Sequence, residues 1–165
     1  MKKILSLLGT ITLIGTSTTS LVACDNIVEY KPEELEKLKE ENKINTVNQE
    51  IRDNLEWIAP QEKPFNKVDD KWYFIVWKSE NWNIARYNNN NIKNLKNGVI
   101  IKDLNNSEYR LMIRPDGILG SFYKTWKEWN KDDGSYFKAV YRWNLDNNIP
   151  ELVLDENNNV KVSEE

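Results

Sequence analysis

Lys71-Trp72-Tyr73-Phe74-Ile75-Val76-Trp77 is the stretch that decides the fold, because it is aromatic or β-branched at almost every position. Such side chains pack well on a pleated sheet, so the stretch predicts a β-strand. Residues 81–87 follow a polar turn at 78–80 and predict a second strand that pairs with the first as a hairpin. Neighbouring side chains of a strand point to opposite faces. Since this strand is apolar on both, either the sheet is covered on both faces or one face of rings is open.

Further strands are predicted downstream by the same chemistry. Glu108-Tyr109-Arg110-Leu111-Met112-Ile113-Arg114 alternates, so that Tyr109, Leu111 and Ile113 share one face. Pro115-Asp116-Gly117 is a turn by composition. The remaining predicted strands are residues 99–101, 118–125, 135–143, 151–154 and 160–162.

The segment that carries Phe122, Trp126 and Trp129 has a second interpretation. The three rings are spaced by four and three residues, so this segment is also compatible with a short helix with Trp126 and Trp129 on one face and Phe122 as the core anchor. Six to eight short strands in residues 66–162 predict an aromatic-rich β domain, built as a small antiparallel sandwich, a curled sheet or a barrel.

Residues 32–58, upstream of the strands, predict an amphipathic helix or stalk. Pro32 suits the first helical position, where its missing N–H costs nothing. Apolar residues then recur every three or four positions, at Ile44, Val47, Ile51, Leu55 and Ile58. One long helix and two shorter ones both fit, and Pro60 ends the segment in either case. The predicted fold class is therefore α+β.

The apolar stripe of this segment has two possible uses. It either packs on the β domain or forms a seam for a partner helix. The stripe covers only about two heptads, which is short for a coiled coil. Packing on the β domain is therefore favoured, with the acidic first half as a solvated stalk.

The amino terminus has the layout of an export signal. Lys2 and Lys3 precede a mostly apolar run over residues 4–15, and small polar residues lead to Leu21-Val22-Ala23-Cys24. The apolar run is shorter than the roughly 20 residues that a membrane-spanning helix needs. Cys24 is the only cysteine in the chain, so it has no disulfide partner.

Leu21, Val22, Ala23 and Cys24 resemble the lipobox of bacterial lipoproteins. The resemblance implies that residues 1–23 are a signal peptide, that Cys24 takes a diacylglyceryl group and that residues 24–31 form a lipidated tether. Two or three acyl chains hold a protein stably on a membrane without spanning it. The expected location is the outer face of the cell membrane, facing the exterior.

The amino-acid content indicates the nucleotide composition of the gene, and that composition supports this resemblance. Asparagine runs at residues 88–91 and 157–159, with many Lys and Ile, indicate an AT-rich coding sequence, yet seven tryptophans are present. A genetic code in which UGA encodes tryptophan explains both. The sequence is similar in this respect to surface lipoproteins of mollicutes, spiroplasma-like ones in particular. That likeness implies a location and no activity.

Enzyme chemistry has little support in this composition. The chain has no histidine, its lone cysteine is assigned to lipid, and its six glycines do not form a phosphate-binding loop. We therefore expect no enzymatic activity, no cofactor and no metal. A glycosidase-like pair of carboxylates stays open as an alternative. Its candidates are Asp69, Asp70, Asp116, Glu128, Asp132 and Asp133. A Ca²⁺ site at residues 132–133 or 155–159 lacks the EF-hand pattern.

Charge and aromatic content limit the partners. The formal net charge is −3, and it becomes −5 once Lys2 and Lys3 leave with the signal peptide, which argues against nucleic acid. Most of the 18 aromatic residues are expected to fill the core. The tryptophans that stand among Asn, Lys and Glu are predicted to be exposed as a ligand platform: Trp82, Trp126, Trp129 and Trp143.

These observations predict a membrane-anchored surface lipoprotein with a non-enzymatic binding or adhesion role toward a host or environmental protein or glycan. One alternative is a module that captures a sugar or peptide and serves a transporter, and another is a carboxylate-pair hydrolase. A row of exposed rings would favour adhesion, a concave aromatic pocket would favour ligand capture, and two acids facing each other in a cleft would favour hydrolysis. The sequence leaves the oligomeric state open.

Overall fold

The computed structural model describes residues 29–90, 97–106 and 108–163. The predicted signal peptide, lipobox and Cys24 lie outside the described residues. The helices are α1 (Pro32–Glu41) and α2 (Gln49–Asn54). The strands are β1 (Leu55–Trp57), β2 (Trp72–Lys78), β3 (Trp82–Asn88), β4 (Val99–Leu104), β5 (Tyr109–Ile113), β6 (Leu119–Tyr123), β7 (Thr125–Glu128), β8 (Phe137–Trp143), β9 (Leu152–Leu154) and β10 (Val160–Val162). Short 3₁₀ turns occur at Pro60–Glu62, Pro64–Asn66 and Trp129–Lys131.

The predicted α+β class is confirmed, with all strand pairs of the described residues antiparallel. The sheets do not close, so the barrel alternative is wrong. None of the helices in the described ranges is long and apolar enough to cross a membrane.

A central sheet with the strand order β1-β8-β2-β3 carries the stretch that decides the fold. The predicted hairpin is present, with Tyr73 opposite Tyr87 in the β2–β3 register. On its other side β2 pairs with β8, which places a strand from the end of the chain in the middle of the sheet. Ile75, Val76 and Trp77 are fully buried, because β2 has a neighbouring strand on each side and a packed layer on each face.

Both faces of the central sheet are covered, which settles the question that the sequence left open. Tyr73, Ile75 and Trp77 point toward a second sheet and form one hydrophobic cluster with it. Phe74 and Val76 point the other way, into a second cluster. That cluster is completed by the α2 segment and by the hairpin of β9 and β10. The molecule therefore has three layers, with the most apolar strand in the middle.

The second sheet, called here the outer sheet, has the order β4-β5-β6-β7. Tyr109, Leu111 and Ile113 are buried against the central sheet, as their alternation predicts. The opposite face of the outer sheet is open to solvent. We call it the Trp126 face, and it comprises Ile100, Met112, Phe122 and Trp126.

The prediction that the helical segment extends to Ile58 is wrong at its carboxyl end. The chain forms two short helices, and Leu55–Trp57 leaves the helical path to pair with β8 as an edge strand. The Asn48 side chain accepts a hydrogen bond from the Ile51 N–H and so starts α2. A spacing of three and four residues cannot tell a continuous helix from a helix followed by a strand when both bury the same residues.

The apolar stripe itself packs on the sheets. Ile44, Ile51, Leu55 and Ile58 are buried, whereas Val47 is 89% exposed. Both hydrophobic clusters contain residues from this segment. The packing therefore continues across the boundary that the sequence placed before residue 66.

Ion pairs fasten α1 to the domain, so that the segment does not project as a stalk. Lys39 Nζ lies 2.6 Å from Glu56 Oε1 and 2.8 Å from Glu62 Oε1, and Arg142 Nη2 lies 2.6 Å from Glu56 Oε2. Burial alone would raise the pKa of Glu56. Hydrogen bonds from Lys39 and Asn144, with the charge of Arg142, outweigh burial and lower it. Burial likewise opposes the charge of Lys39, but its two carboxylate partners raise its pKa.

Several tight turns place asparagine in the left-handed region of backbone space. Asn105, Asn106, Asn148 and Asn158 have φ between 50° and 59°. Asparagine tolerates this region better than most residues, because its short polar side chain can hydrogen-bond locally.

Candidate ligand-binding cleft

The four tryptophans predicted as a platform do not lie together. Trp143 is 0% exposed, so its assignment to the platform is wrong. It points from β8 into the cluster beside α2, and its indole N–H donates to the Asn147 carbonyl at 2.8 Å. Its polar neighbours in the sequence occupy the opposite face or the strand end. Trp82 is partly buried against the same cluster, with the Lys78 ammonium 5.7 Å from its ring centre.

Trp126 and Trp129 do not share a helical face either, because the helical alternative for this segment is wrong. Trp126 lies on β7 and pairs with Phe122 of β6, and the chain then turns at Trp129–Lys131. Phe122 is 39% exposed, so it is not the core anchor that the helical interpretation required. The hairpin turn at Lys124 has φ of 56°.

Trp126 lies against the open face of the outer sheet. A Cβ at Gly120 would stand 2.2 Å from the Trp126 ring, so the ring lies directly on the glycine backbone. The indole N–H donates to Glu128 Oε1 at 3.3 Å, and the Arg114 guanidinium lies 6.0 Å from the ring centre. These contacts hold the ring in place on an open surface.

Trp129 has different surroundings, since it packs against the core and lines a cleft. Its ring centre lies 6.4 Å from that of the buried Phe65. The cleft, called here the Trp129 cleft, has a volume of about 300 Å³. Its apolar wall consists of Pro60, Pro64, Phe65, Ile118, Leu119 and Trp129. Its polar lining consists of Glu29, Gln61, Lys63, Asn66, Asp116, Gly117 and Asn130.

The cleft exists because two turns approach closely at Gly117. A Cβ on Gly117 would lie 2.3 Å from Asn66 Oδ1 and 3.0 Å from the Phe65 carbonyl oxygen. Gly117 also has φ of +79°, which an L side chain rarely adopts. Only glycine lets the turn after β5 come this close to the Pro64–Asn66 turn, and the cleft forms between them.

Some polar groups of the cleft already have an ion-pair or hydrogen-bond partner, and one does not. Asp116 Oδ2 lies 2.6 Å from Arg114 Nη2, so its carboxylate already has an ion-pair partner. Gln61 holds the main chain of Tyr30 with two hydrogen bonds, at 2.6 and 2.9 Å. Asn130 is different, because its Oδ1 atom is buried without a hydrogen-bond partner. A buried acceptor in this state costs about 1–3 kcal/mol, and because it has almost no accessible surface, a ligand in the cleft reaches it only if the side chain moves.

A second, smaller cleft of about 260 Å³ adjoins the first. The two share Pro60, Trp129 and Asn130 in their linings, so these residues stand between them. Tyr30 lines the second cleft. Together the two clefts form a groove with an aromatic ring in its wall.

Five of the six carboxylates that the sequence offered as a catalytic pair, all except Asp70, have structural partners. Asp69 accepts a hydrogen bond from the Tyr73 hydroxyl at 2.5 Å. Asp132 accepts from the N–H groups that start β8, including that of Phe137 at 2.9 Å. The hydroxyl and N–H of Ser135 both donate to Asp133 and lower its pKa. Glu128 is held 3.1 Å from Arg114 Nη1 and 3.1 Å from Lys131 Nζ.

The two turns considered for Ca²⁺ are likewise built on side-chain-to-backbone hydrogen bonds. Asp155 accepts from the N–H groups of Asn157 and Asn159, and these bonds lower its pKa although burial acts the other way. No group of three or more Asp, Glu, His or Cys side chains that could hold a metal ion occurs in the part of the chain that the structure describes.

Comparisons with known proteins add no relative: no protein-family model matches the sequence, and neither a curated protein nor a solved structure is significantly similar to it.

The sequence identified Trp129 but missed the rest of its cleft. Phe65 and Asn66 follow a proline that was interpreted only as the end of a helix, and Asn130 was given no role. One signal was present: Pro60-Gln61-Glu62-Lys63-Pro64-Phe65 holds two prolines and a large ring outside any predicted strand. Prolines that frame an aromatic residue indicate a stiff loop, and such loops often position binding residues.

Proposed function

We propose that this chain is a membrane-anchored surface lipoprotein that captures a ligand in the Trp129 cleft without chemically changing it. The observation that carries the proposal is the concave site itself, where an indole wall meets the polar residues Gln61, Asn66 and Asn130. Apolar pockets with a few convergent polar groups are the usual form of small-ligand sites. Of the roles expected from the sequence, this is the ligand-capture module that serves a transporter.

Hydrolysis has weaker support than capture. Asp116 and Glu29 are the carboxylates that line the Trp129 cleft, and Asp116 is already paired with Arg114. A glycosidase needs one acid with a raised pKa and a second acid facing it across the substrate. The cleft offers an aromatic wall and amides instead.

Adhesion to a macromolecule is the second candidate, and the Trp126 face favours it. Ile100 and Phe122 are 50% and 39% exposed on this face, where Ile100 pairs with Met112 and Phe122 pairs with Trp126. Arg110 and Arg114 lie on the same face, each paired with an acidic residue. Aromatic residues, Met and Arg are enriched in protein interfaces.

Lipid anchoring is tested by Cys24→Ser. We expect the variant to lose incorporation of labelled palmitate and to keep its signal peptide, since the acyl acceptor is gone. Metabolic labelling and the mass of the mature chain measure both effects. A variant that still takes up palmitate, or matures to the wild-type mass, would refute the anchoring proposal.

Ligand capture is tested on the unlipidated mature chain with a panel of methyl pyranosides and short neutral peptides. We expect binding by one class, followed as a change in tryptophan emission, and its loss in Trp129→Ala and in Asn130→Ala. Asn130→Ala removes an unpaired buried oxygen, so its melting temperature should stay close to that of the wild type. Trp126→Ala is the matched control, because Trp126 lines neither part of the groove.

The same experiment separates the two candidate functions. Binding that survives Trp129→Ala and is lost in Trp126→Ala would move the site to the Trp126 face and support adhesion. Binding that neither substitution affects would contradict both proposals.

A further inference from the structure

A short stretch of the chain's own backbone lies along the groove that the two clefts form. Glu29 lines the Trp129 cleft, and the next residue, Tyr30, lines the adjoining smaller cleft. Lys31 follows with an extended backbone, at φ of −66° and ψ of 157°. In an extended segment successive side chains point to opposite sides, and one residue in each cleft fits that pattern. The groove is therefore lined in part by a peptide segment of the same chain.

Gln61 holds this segment by its main chain. The Gln61 Oε1 atom accepts a hydrogen bond from the Tyr30 N–H at 2.6 Å, and its Nε2 atom donates to the Tyr30 carbonyl oxygen at 2.9 Å. A glutamine amide carries both a donor and an acceptor, so it can pair with both main-chain groups of one residue, as a neighbouring antiparallel strand does. Every residue except proline offers these two groups. Gln61 therefore recognises an extended main chain, whichever side chain that residue carries.

The resident segment is separate from the core of the molecule. Within the described residues, both hydrophobic clusters are built without Glu29 and Tyr30, and α1, which follows them, has no buried residue. The ion pairs of Lys39 with Glu56 and Glu62 fasten α1 to the domain. Segments with few buried apolar contacts open locally at a lower free energy than the core. Residues 29–31 can therefore leave the groove while the sheets stay folded.

The resident segment also fits the Trp129 cleft poorly at one position. The cleft has an apolar wall, but the residue that the chain places there is the exposed, charged Glu29. Asp116, in the same lining, is acidic as well. An aliphatic or aromatic side chain in place of Glu29 would remove apolar surface from water, which a carboxylate does not do. A peptide with an apolar residue at this position would therefore make better contacts than the chain's own segment.

Resting on the proposed function, we propose that the ligand captured in the groove is an extended peptide, which displaces residues 29–30 as a resident substitute ligand. The main chain of the peptide takes over the paired hydrogen bonds of Gln61, and the apolar residue before that point packs in the Trp129 cleft. Main-chain pairing combined with pockets for alternate side chains is a general mode of peptide recognition. The resident segment competes well because it is part of the same chain, so peptides with poorer contacts are kept out.

The experiment measures binding of acetyl-Leu-Tyr-Ser-amide to the unlipidated mature chain by titration calorimetry. Tyr30→Pro removes the N–H that Gln61 accepts, so the groove is vacated more often and the peptide should bind about tenfold more tightly than to the wild type. Tyr30→Phe is the matched control, because it keeps the main-chain bonds, and it should bind the peptide as the wild type does. Adding Gln61→Leu to Tyr30→Pro should weaken binding by about tenfold or more, since two hydrogen bonds are lost.

Three comparison ligands show what the groove recognises. A peptide methylated on the tyrosine main-chain nitrogen has no N–H for Gln61 and should bind about tenfold more weakly. Acetyl-Glu-Tyr-Ser-amide, which reproduces Glu29 and Tyr30, should also bind more weakly than the leucine peptide. Methyl glucoside is the comparison that is not a peptide. Melting temperatures of all variants should stay close to that of the wild type, because Tyr30 and Gln61 lie outside both hydrophobic clusters.

Each outcome decides the proposal. Tighter binding to Tyr30→Pro than to the wild type, lost with Gln61→Leu and with the methylated peptide, supports it. Equal binding of the methylated peptide refutes recognition through Gln61. Equal affinity of the wild type and Tyr30→Pro refutes displacement of the resident segment. If no peptide binds to any variant, the peptide ligand is refuted, and the glycoside arm of the binding panel decides the proposed function separately.

Discussion

The central sheet and the outer sheet each contain four antiparallel strands, but they use their large side chains differently. In the central sheet, rings point to both faces and are buried on both, as Trp77 and Trp143 show. In the outer sheet only the inward face is buried. The outward face keeps Phe122 and Trp126 in contact with solvent.

The difference shows where this small domain obtains its stability and where it has room for function. Burial of large rings removes much apolar surface from water, and the central sheet holds three of the fully buried rings, Tyr73, Trp77 and Trp143. The cleft forms instead at the end of the outer sheet, between turns. Substitutions at these turns can therefore alter the cleft without affecting the central sheet.

The largest expected effect comes from removing one covering layer of the central sheet. A fragment of residues 66–162 lacks Ile44, Ile51 and Leu55, so the face that carries Phe74 and Trp143 becomes exposed. We expect a broad, non-cooperative thermal transition in circular dichroism, whereas residues 29–163 should unfold cooperatively. The sequence by itself predicts that the shorter fragment folds alone. A sharp transition with a β spectrum for that fragment would restore the sequence-based boundary.

A single ring on each sheet tests the same contrast with less disturbance. Trp143→Ala should lower the free energy of unfolding by about 3–5 kcal/mol, as for other fully buried large rings. Trp126→Ala should lower it by less than about 1.5 kcal/mol, since the ring is partly solvated and its cation–π contact with Arg114 is weak. Urea denaturation measures both. Equal losses would mean that the Trp126 face is part of the core.

Gly120→Ala tests how closely Trp126 lies on the outer sheet. The new Cβ would stand 2.2 Å from the ring and 2.6 Å from the Lys127 carbonyl oxygen, so moving the ring alone cannot relieve the clash. We expect a loss of about 1–3 kcal/mol in the free energy of unfolding. The double variant with Trp126→Ala should lose less than the sum of the two single variants. Simple additivity would indicate that the ring does not rest on Gly120.

The smallest expected effect concerns the ion pairs of Glu56 with Lys39 and Arg142. The pKa of Glu56 is lowered in the folded protein, so its contribution to stability is present above the pKa of the unfolded chain and is lost as the pH falls through the folded value. Glu56→Gln should therefore cost about 1 kcal/mol at neutral pH. The difference from the wild type should shrink toward zero below about pH 4. A constant difference across this pH range would show that Glu56 acts by shape and not by charge.

Local patterns predicted the local parts of this structure. The β2–β3 hairpin and the buried face of β5 follow from residues that are close in sequence, so composition and alternation were sufficient. The strand Leu55–Trp57 could not be predicted in the same way, because its partner β8 lies more than 80 residues away. The Leu55 side chain would be buried in a helix as well as in this strand, so its apolar character does not distinguish the two.

The errors at the candidate site have a related cause. Trp143 was taken as exposed because polar residues flank it, although alternation along β8 places it on the same face as Tyr141. The Trp129 cleft combines Pro60–Glu62, Pro64–Asn66 and the turns at Gly117 and Asn130. These turns are distant in sequence, and their proximity depends on tertiary packing that no local pattern encodes.

The left-handed asparagine turns have a consequence for how this gene can change. Glycine codons are rich in G and C, whereas asparagine codons are rich in A and T. Because asparagine tolerates left-handed backbone, a drift in base composition can replace glycine at turns such as Asn105 and Asn158 without losing the turn. Asparagine cannot replace Gly117 or Gly120 in this way, since any Cβ there collides with its neighbours. Mutational pressure can therefore change the residues of these turns, but it cannot remove these two glycines without disturbing the cleft or the outer sheet.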